Sequence, residues 1–357
     1  MFQDVRPSEL GPTLRHDFLT LYRYYLDDER RARLDQMGPL KRFVFIPIWI
    51  LRSLLLKLTP LRRLLLAVAL VMGLVGQWAF RIGGERVSFD YGPLPVLILL
   101  FILMLELKDK LLAHDEIAVA RQVQLALLPS ADPPLPGYAL WSHSRPANDV
   151  GGDLIDYIDD PSPGSLGVAL GDVAGKGLGA ALLMAKLQAS LRATATGCPD
   201  LADLGVRLNR ILFRDGLDNR FATLFYMELA RDGRGTARYL NAGHNPPLLV
   251  RAIGIEMVDP GGRPLGMFAD SPYAEGRLEM QPSDLLIVYS DGLVEARNAD
   301  DVEFGLDRLR RMAPALRAME ADQAGRRLLA EVEQFLAGAR PQDDLSLVLI
   351  RRQPERD

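Results

Sequence analysis

The sequence has almost no cysteine. Cys198 is the single thiol in 357 residues, which excludes an internal disulfide and any cysteine-rich zinc cluster and suits a reducing compartment. Strong charge of either sign is missing too. Lys and Arg number 42 against 46 Asp and Glu, a formal net charge of −4, so wholesale nucleic-acid binding is not favoured. No serine stands in a G-x-S-x-G elbow, so a serine triad has no support. There is no internal repeat and no low-complexity tract. The length suits one or two domains, and the 48% hydrophobic content is ample for a core.

The apolar residues are unevenly spread, with a large share between Phe43 and Leu107. Phe43 to Thr59 is interrupted by Pro47, Arg52 and Lys57, which suits a helix lying in a membrane interface. Leu64 to Phe80 carries no charge and is about long enough to span a bilayer, with Trp78 as an interfacial anchor. Pro93 to Leu105 is a shorter second candidate. Arg62 and Arg63 precede the first run, and Lys108 and Lys110 follow the second. The positive-inside bias therefore puts both ends in the cytoplasm. On this reading residues 1–60 are a cytosolic or interfacial segment. Residues 61–107 are a two-helix transmembrane hairpin of a multi-pass protein of the inner (cytoplasmic) membrane. A buried helical hairpin is the competing reading. A cleaved signal peptide does not fit an apolar run that starts so deep in the chain.

Residues 108–129 form a linking or signalling helix, because Glu106 to Leu128 holds neither Gly nor Pro and can continue the second span. Ile117, Ala120, Gln124 and Leu127 recur at three- or four-residue steps. That spacing fits a homodimer seam, a face laid on the next domain, or a plain amphipathic helix. Pro129 stops the helix, and residues 130–357 make the next domain. Strands are expected at Tyr138–His143, Gly152–Tyr157, Leu166–Asp172, Ala222–Leu229, Ala237–Asn241, Leu248–Arg251, Leu285–Ser290 and Leu345–Arg351. Helices are expected at Gly179–Ala195, Asp200–Phe213, Leu306–Met312 and Asp322–Leu336. Short turns and paired helices point to an α+β domain of antiparallel sheets covered by helices, not to a Rossmann unit.

Four acidic positions in that domain share a setting. Asp153 follows Gly151 and Gly152; Asp172 ends an apolar run ahead of Gly175-Lys176-Gly177; Asp291 lies in YSDG; Asp343 and Asp344 precede the last strand. A lone strand-end aspartate is usually a turn former. Four alike, with no cysteine ligands, suggest an oxygen-only site for Mg2+ or Mn2+. Gly171–Gly177 is too short for a phosphate loop and lacks its Ser or Thr. Gly151-Gly152-Asp153 departs from the GGDEF signature at Leu154 and Ile155. His244, in NAGHNPP, reads as a loop stabiliser.

The segments QLALLP (124–129), NDVGGDLID (148–156), GDVAGKGLGAALLMA (171–185), FATLFYMEL (221–229), YLNAGHNPPLLV (239–250), PLGM (264–267), YSDGLVEARN (289–298) and DDLSLVLIR (343–351) occur in this order. Together they resemble the SpoIIE/RsbU branch of the metal-dependent, 2C-type serine/threonine protein phosphatases. The resemblance covers about Gln122 to Arg351. It implies an αββα sandwich with two Mn2+ or Mg2+ ions between the sheets, held by Asp153, Asp172, the Val173 carbonyl, Asp291 and Asp343. Asp172 would bridge the ions, Asp153 and Asp172 would be the catalytic pair, and Asp344 would be a hydrogen-bonding neighbour or itself the ligand. It further implies hydrolysis of phosphoserine or phosphothreonine on a partner protein, a STAS anti-anti-sigma factor, by a metal-activated hydroxide. Ala174 and Ser290 depart from the usual Ser and Thr, and neither is an implied side-chain ligand. Lys176 would neutralise phosphate or simply be solvated. A non-catalytic signalling scaffold on the same fold is the alternative from another class, and a small-molecule phosphatase is a third.

Overall fold

The computed structural model describes residues 33–34, 37–75, 77–82, 85–90, 92–215, 220–258 and 261–354. Residues 1–32 and 35–36 of the expected cytosolic or interfacial segment lie outside them. The chain divides into two compact units, Met1–Ala113 and His114–Asp357.

The first unit holds helices α1 (Pro39–Lys57) and α2 (Pro60–Val75), strands β1 (Gln77–Ile82) and β2 (Glu85–Asp90), and the start of α3 (Leu94–Leu127). The membrane hairpin is corrected here. Among the described residues no helix is long and apolar enough to cross a membrane. Helix α2 has 16 residues, roughly 24 Å of rise against a hydrocarbon layer of roughly 30 Å. The expected span does not continue, because Gln77–Phe80 belong to β1, which pairs antiparallel with β2. Helix α3 has 34 residues, but its apolar lead ends at Glu106, with Lys108, Asp109 and Lys110 close behind. Arg62, counted above as a topology signal, instead pairs with Glu106 at 2.6 Å and Asp109 at 2.5 Å. The multi-pass membrane location is accordingly withdrawn.

The second unit carries two five-stranded antiparallel sheets. The first contains β4 (Leu154–Asp159), β5 (Ser165–Val173), β6 (Ala222–Ala230), β7 (Thr236–Ala242) and β10 (Glu275–Glu279), in the order β10-β7-β6-β5-β4. The second contains β3 (Tyr138–Arg145), β8 (Leu248–Val250), β9 (Ile255–Met257), β11 (Leu285–Tyr289) and β12 (Leu345–Arg352), in the order β3-β12-β11-β8-β9.

Period-two alternation fixes which residues go where. Leu166, Val168 and Leu170 of β5 join Phe225 and Met227 of β6, Leu286 and Val288 of β11, and Val348 and Ile350 of β12 in one core between the sheets. The alternate residues face outward. Ala169 and Val173 meet α4 (Leu178–Ala195) and α5 (Leu201–Asp215) through Leu183, Leu187, Leu204 and Leu208. Leu345, Leu347 and Leu349 meet α7 (Leu306–Arg317) and α8 (Ala321–Leu336), which follow the single turn α6 (Asp291–Val294). The result is helix pair, sheet, sheet, helix pair. Each fully buried Leu or Phe in these layers contributes about 1.5–3 kcal/mol, so the three cores fix the register of every strand that ends near the acidic residues.

Candidate metal centre

The strand pairings deliver the acidic residues to one end of the sandwich. Leu154 pairs with Gly171, so Asp153, one residue before β4, comes level with Asp172 at the end of β5. On the second sheet, Asp291 follows β11 directly as the first residue of α6, while Asp343 and Asp344 lead into β12. Strands β11 and β12 run antiparallel, and Ser290 N–H donates to the Ser346 carbonyl at 3.0 Å. The end of one strand therefore lies beside the start of the other.

Glycine lets these backbones close up. A Cβ at Gly152 would lie 2.8 Å from the Val173 carbonyl oxygen, and one at Gly292 would lie 2.0 Å from the Asp344 carbonyl oxygen. Asp344 ties the sheets together: its carboxylate accepts from Ala147 N–H at 2.7 Å and Gly152 N–H at 2.6 Å. Asp344 is buried with both oxygens engaged, whereas the Asp343 side chain is 44% exposed and pairs with Lys176 at 3.1 Å. Lys176 also donates to the Gln342 carbonyl, so this cation is neither simply solvated nor free.

The electrostatics record the crowding of negative charge. Burial first, and then the charge of Asp172, pushes Asp153 well above the usual carboxylate range. Burial raises Asp172 to about 7, with Asp291 and Asp343 adding to it. Asp291 rises to about 6 by burial and the nearby Asp343 charge, offset in part by the Gly292 N–H and Lys176. Asp153 is 3% exposed, and neither of its carboxylate oxygens has a hydrogen-bond partner. Ser290 and Ser346 lie near enough to ease its charge, but their hydroxyls are occupied. Ser290 Oγ donates to the Asp344 carbonyl at 3.1 Å and accepts from Ser346 N–H at 2.9 Å, and Ser346 Oγ bonds Ser144 Oγ at 2.9 Å.

A buried, unpaired carboxylate is costly unless something positive meets it. The available donors are carboxylates and backbone carbonyls, the set that suits a hard divalent cation. Among the described residues no three His, Cys, Asp or Glu side chains are already gathered tightly enough to grip an ion. The four aspartates are electrostatic neighbours, not a closed cage.

Two contributors escaped the sequence reading. Gln124, near the end of α3, accepts from Gly151 N–H at 3.0 Å and donates to the Gly151 carbonyl at 2.8 Å. Gln188 in α4 donates to the Leu127 carbonyl at 2.8 Å. The signal was present: Gln124 is the one polar residue on the step Ile117, Ala120, Gln124, Leu127. His244 is buried, and its side chain also bonds Thr223 at 2.9 Å. A roomy cavity of about 340 Å3, lined by Glu228, Arg238 and Arg277 among others, lies at the start of β5 near Ser165. That is roughly 23 Å along the strand from Asp172, so it plays no part in the acidic cluster.

The sequence matches the family profile of stage II sporulation protein E (SpoIIE) over residues 162–353. The chain belongs to the SpoIIE family. The matched span holds Asp172, Asp291 and Asp343, while Asp153 and Gln124 lie ahead of it. Protein IcfG of Synechocystis sp. is 30% identical over 225 residues, covering 54% of this chain and 35% of that protein. Phosphoserine phosphatase RsbU of Bacillus subtilis is 27% identical over 185 residues, covering 51% and 54% respectively. The chain thus matches about a third to a half of the length of these curated relatives. The SiaA-PP2C domain of Pseudomonas aeruginosa superposes with a TM-score of 0.58 at 17% identity, over 68% of this chain and 98% of that domain. The SpoIIE-family chain therefore has a PP2C-type phosphatase fold.

Proposed function

We propose that the SpoIIE-family chain is a metal-dependent protein serine/threonine phosphatase that removes phosphate from a phosphorylated partner protein. The observation that carries this is the pair of buried, unpartnered Asp153 oxygens facing Asp172, with Asp291 and Asp343 brought to the same end by the other sheet. Asp153, Asp172, Asp291, Asp343 and the Val173 carbonyl would hold two Mn2+ or Mg2+ ions, with Asp153 and Asp172 at the reacting centre. Bound there, the ions would make water a competent nucleophile near neutral pH and offset the charge of the phosphate.

The chain's own residues supply the rest. Asp344 fixes the 147–152 loop so that Asp153 keeps its place. Lys176 holds Asp343 from outside and adds positive charge at the rim. The Ser290–Ser346 bonds lock the turn that presents Asp291. Residues 130–357 form the catalytic domain, and 108–129 are the helix that links it to the first unit. The relative named phosphoserine phosphatase RsbU supports a phosphoserine substrate, and a STAS-domain phosphoprotein is the class we assign.

The test uses the full chain with a phosphoserine protein and with p-nitrophenyl phosphate, with and without MnCl2 or MgCl2. Turnover of both only with metal supports the reading. Metal-independent turnover, or a partner bound without any turnover, would replace it with a different chemistry or with the scaffold. Faster release from free phosphoserine than from the phosphoprotein would point to a small-molecule phosphatase.

A further inference from the structure

The connection from β7 to β8, residues 243–247, carries the chain from the first sheet to the second. His244 lies on it and is 3% exposed. Its Nδ1 is 2.9 Å from Thr223 Oγ1. Thr223 is the residue paired with Asp172 between β5 and β6, and its hydroxyl is 3.5 Å from the Asp172 carbonyl oxygen. Nε2 is buried without a hydrogen bond, and the Tyr289 backbone, on the other sheet, lies near enough to the ring to favour its protonated form. Tyr289 ends β11, two residues before Asp291. One imidazole thus bonds β6 at the residue paired with Asp172 and lies near the end of the strand that delivers Asp291.

The backbone that carries the ring is held by Asn241. His244 N–H donates to Asn241 Oδ1 at 2.8 Å, and Asn241 Nδ2 donates to the His244 carbonyl at 3.1 Å. Asn241 is itself fully buried. Gly243 turns at φ 71°, where a Cβ would strike Pro264 at 2.6 Å. Pro246 and Pro247 then limit the backbone of the crossover. Burial pushes the imidazole down to about 4, so it carries no charge at ordinary pH to compete with a cation nearby. The arrangement is far more elaborate than a surface loop needs.

We propose that His244 is a positioning residue, a strut between the two sheets that sets the spacing of the Asp172 strand end and the Asp291 turn. Its effect on ion affinity rests on the metal-centre reading above; its effect on the two strand ends does not. Side chains that orient ligands from behind typically change metal affinity by about 10–100-fold when lost.

The test compares the full chain with His244→Ala, His244→Asn and Leu201→Ala. Leu201 is a fully buried core residue at the start of α5, next to the Cys198 turn at the end of the sandwich away from Asp172. Amide hydrogen exchange is read in EDTA, and MnCl2 affinity is read by calorimetry. In His244→Ala, exchange should rise together at residues 172–175 and 289–292, and Mn2+ should bind about 10–100-fold more weakly. His244→Asn keeps an oxygen for the Thr223 hydroxyl, so it should restore protection at 172–175 more than at 289–292. Leu201→Ala should leave both segments unchanged. Unaltered exchange at either segment in His244→Ala, or an equal rise in Leu201→Ala, would overturn the strut. Failure of the unmutated protein to take up Mn2+ would remove the metal reading alone, because the exchange result decides the strut without metal.

Discussion

Replacing Asp172 by Asn should move two properties in opposite directions. Asp172 is raised from 3.8 to about 7 by burial and by the Asp291 and Asp343 charges. A raised carboxyl binds its proton more tightly in the folded state than in the unfolded one. The folded state therefore pays nothing for the group below pH 4, loses stability as pH climbs from about 4 to 7, and bears the full penalty above 7. At about 1.4 kcal/mol per pH unit, the lift corresponds to up to about 4 kcal/mol. Asn keeps the shape and removes the charge. Since Asp153 and Asp291 share the strain, we expect Asp172→Asn to stabilise the metal-free protein by about 2–4 kcal/mol at pH 8. At about 2–4 °C per kcal/mol for a unit of this size, Tm should rise by roughly 5–15 °C. The gain should vanish at pH 4. With MnCl2 added, the unmutated protein should gain stability and the variant should not, because a ligand that binds only the folded state raises Tm by mass action. Thermal denaturation in EDTA and in MnCl2, at pH 4 and pH 8, measures all four cases. A variant that is less stable than the parent in EDTA at pH 8, or that is stabilised equally by Mn2+, would refute the reasoning.

The remaining predictions concern the same end of the sandwich. Protons compete for Asp291 at about 6 and Asp172 at about 7, so Mn2+ affinity should climb steeply between pH 5.5 and 7.5, with proton release on binding seen by calorimetry in two buffers. Gly152→Ala would push a methyl to 2.8 Å from the Val173 carbonyl oxygen, so it should cut metal-dependent turnover at least about tenfold while far-ultraviolet circular dichroism stays unchanged. Gln124→Ala strips both hydrogen bonds from the Gly151 backbone and should cost about 1–3 kcal/mol in urea unfolding.

Much of the second unit was legible because its pattern is strong. Strands such as Leu166–Leu170 and Leu345–Ile350 are apolar on both faces, as a strand buried between another sheet and a helix pair must be. The edge strands β9 and β10 were not legible: β9 is three residues long, and β10 reads EGRLE and is half exposed, so neither carries an apolar run or a clean alternation. Helix α7 runs on to Arg317 past Pro314, where the sequence suggested a stop at Met312, because burial of Ala313 and Leu316 in the core offsets the backbone hydrogen bond that the proline removes. The first unit was misread for a different reason. Hydropathy averages over a run, but length and the position of each charge decide spanning, and β1 takes the residues that the first span needed.

Within the acidic cluster, the glycine-flanked aspartates announced themselves by composition. The roles of Gln124, Asp344 and His244 did not, because each acts across more than twenty residues of chain. Asp344 shows the limit most clearly. In sequence it is the twin of Asp343, and only the tertiary fold shows that its oxygens are committed to Ala147 and Gly152.

The most direct measurement is the anomalous scattering of a crystal soaked in MnCl2, collected at the manganese edge. The account predicts two peaks between the sheets, within bonding distance of Asp153, Asp172, Asp291 and Asp343. No peak there, or ions bound only by Asp344 or by groups elsewhere on the surface, would contradict it.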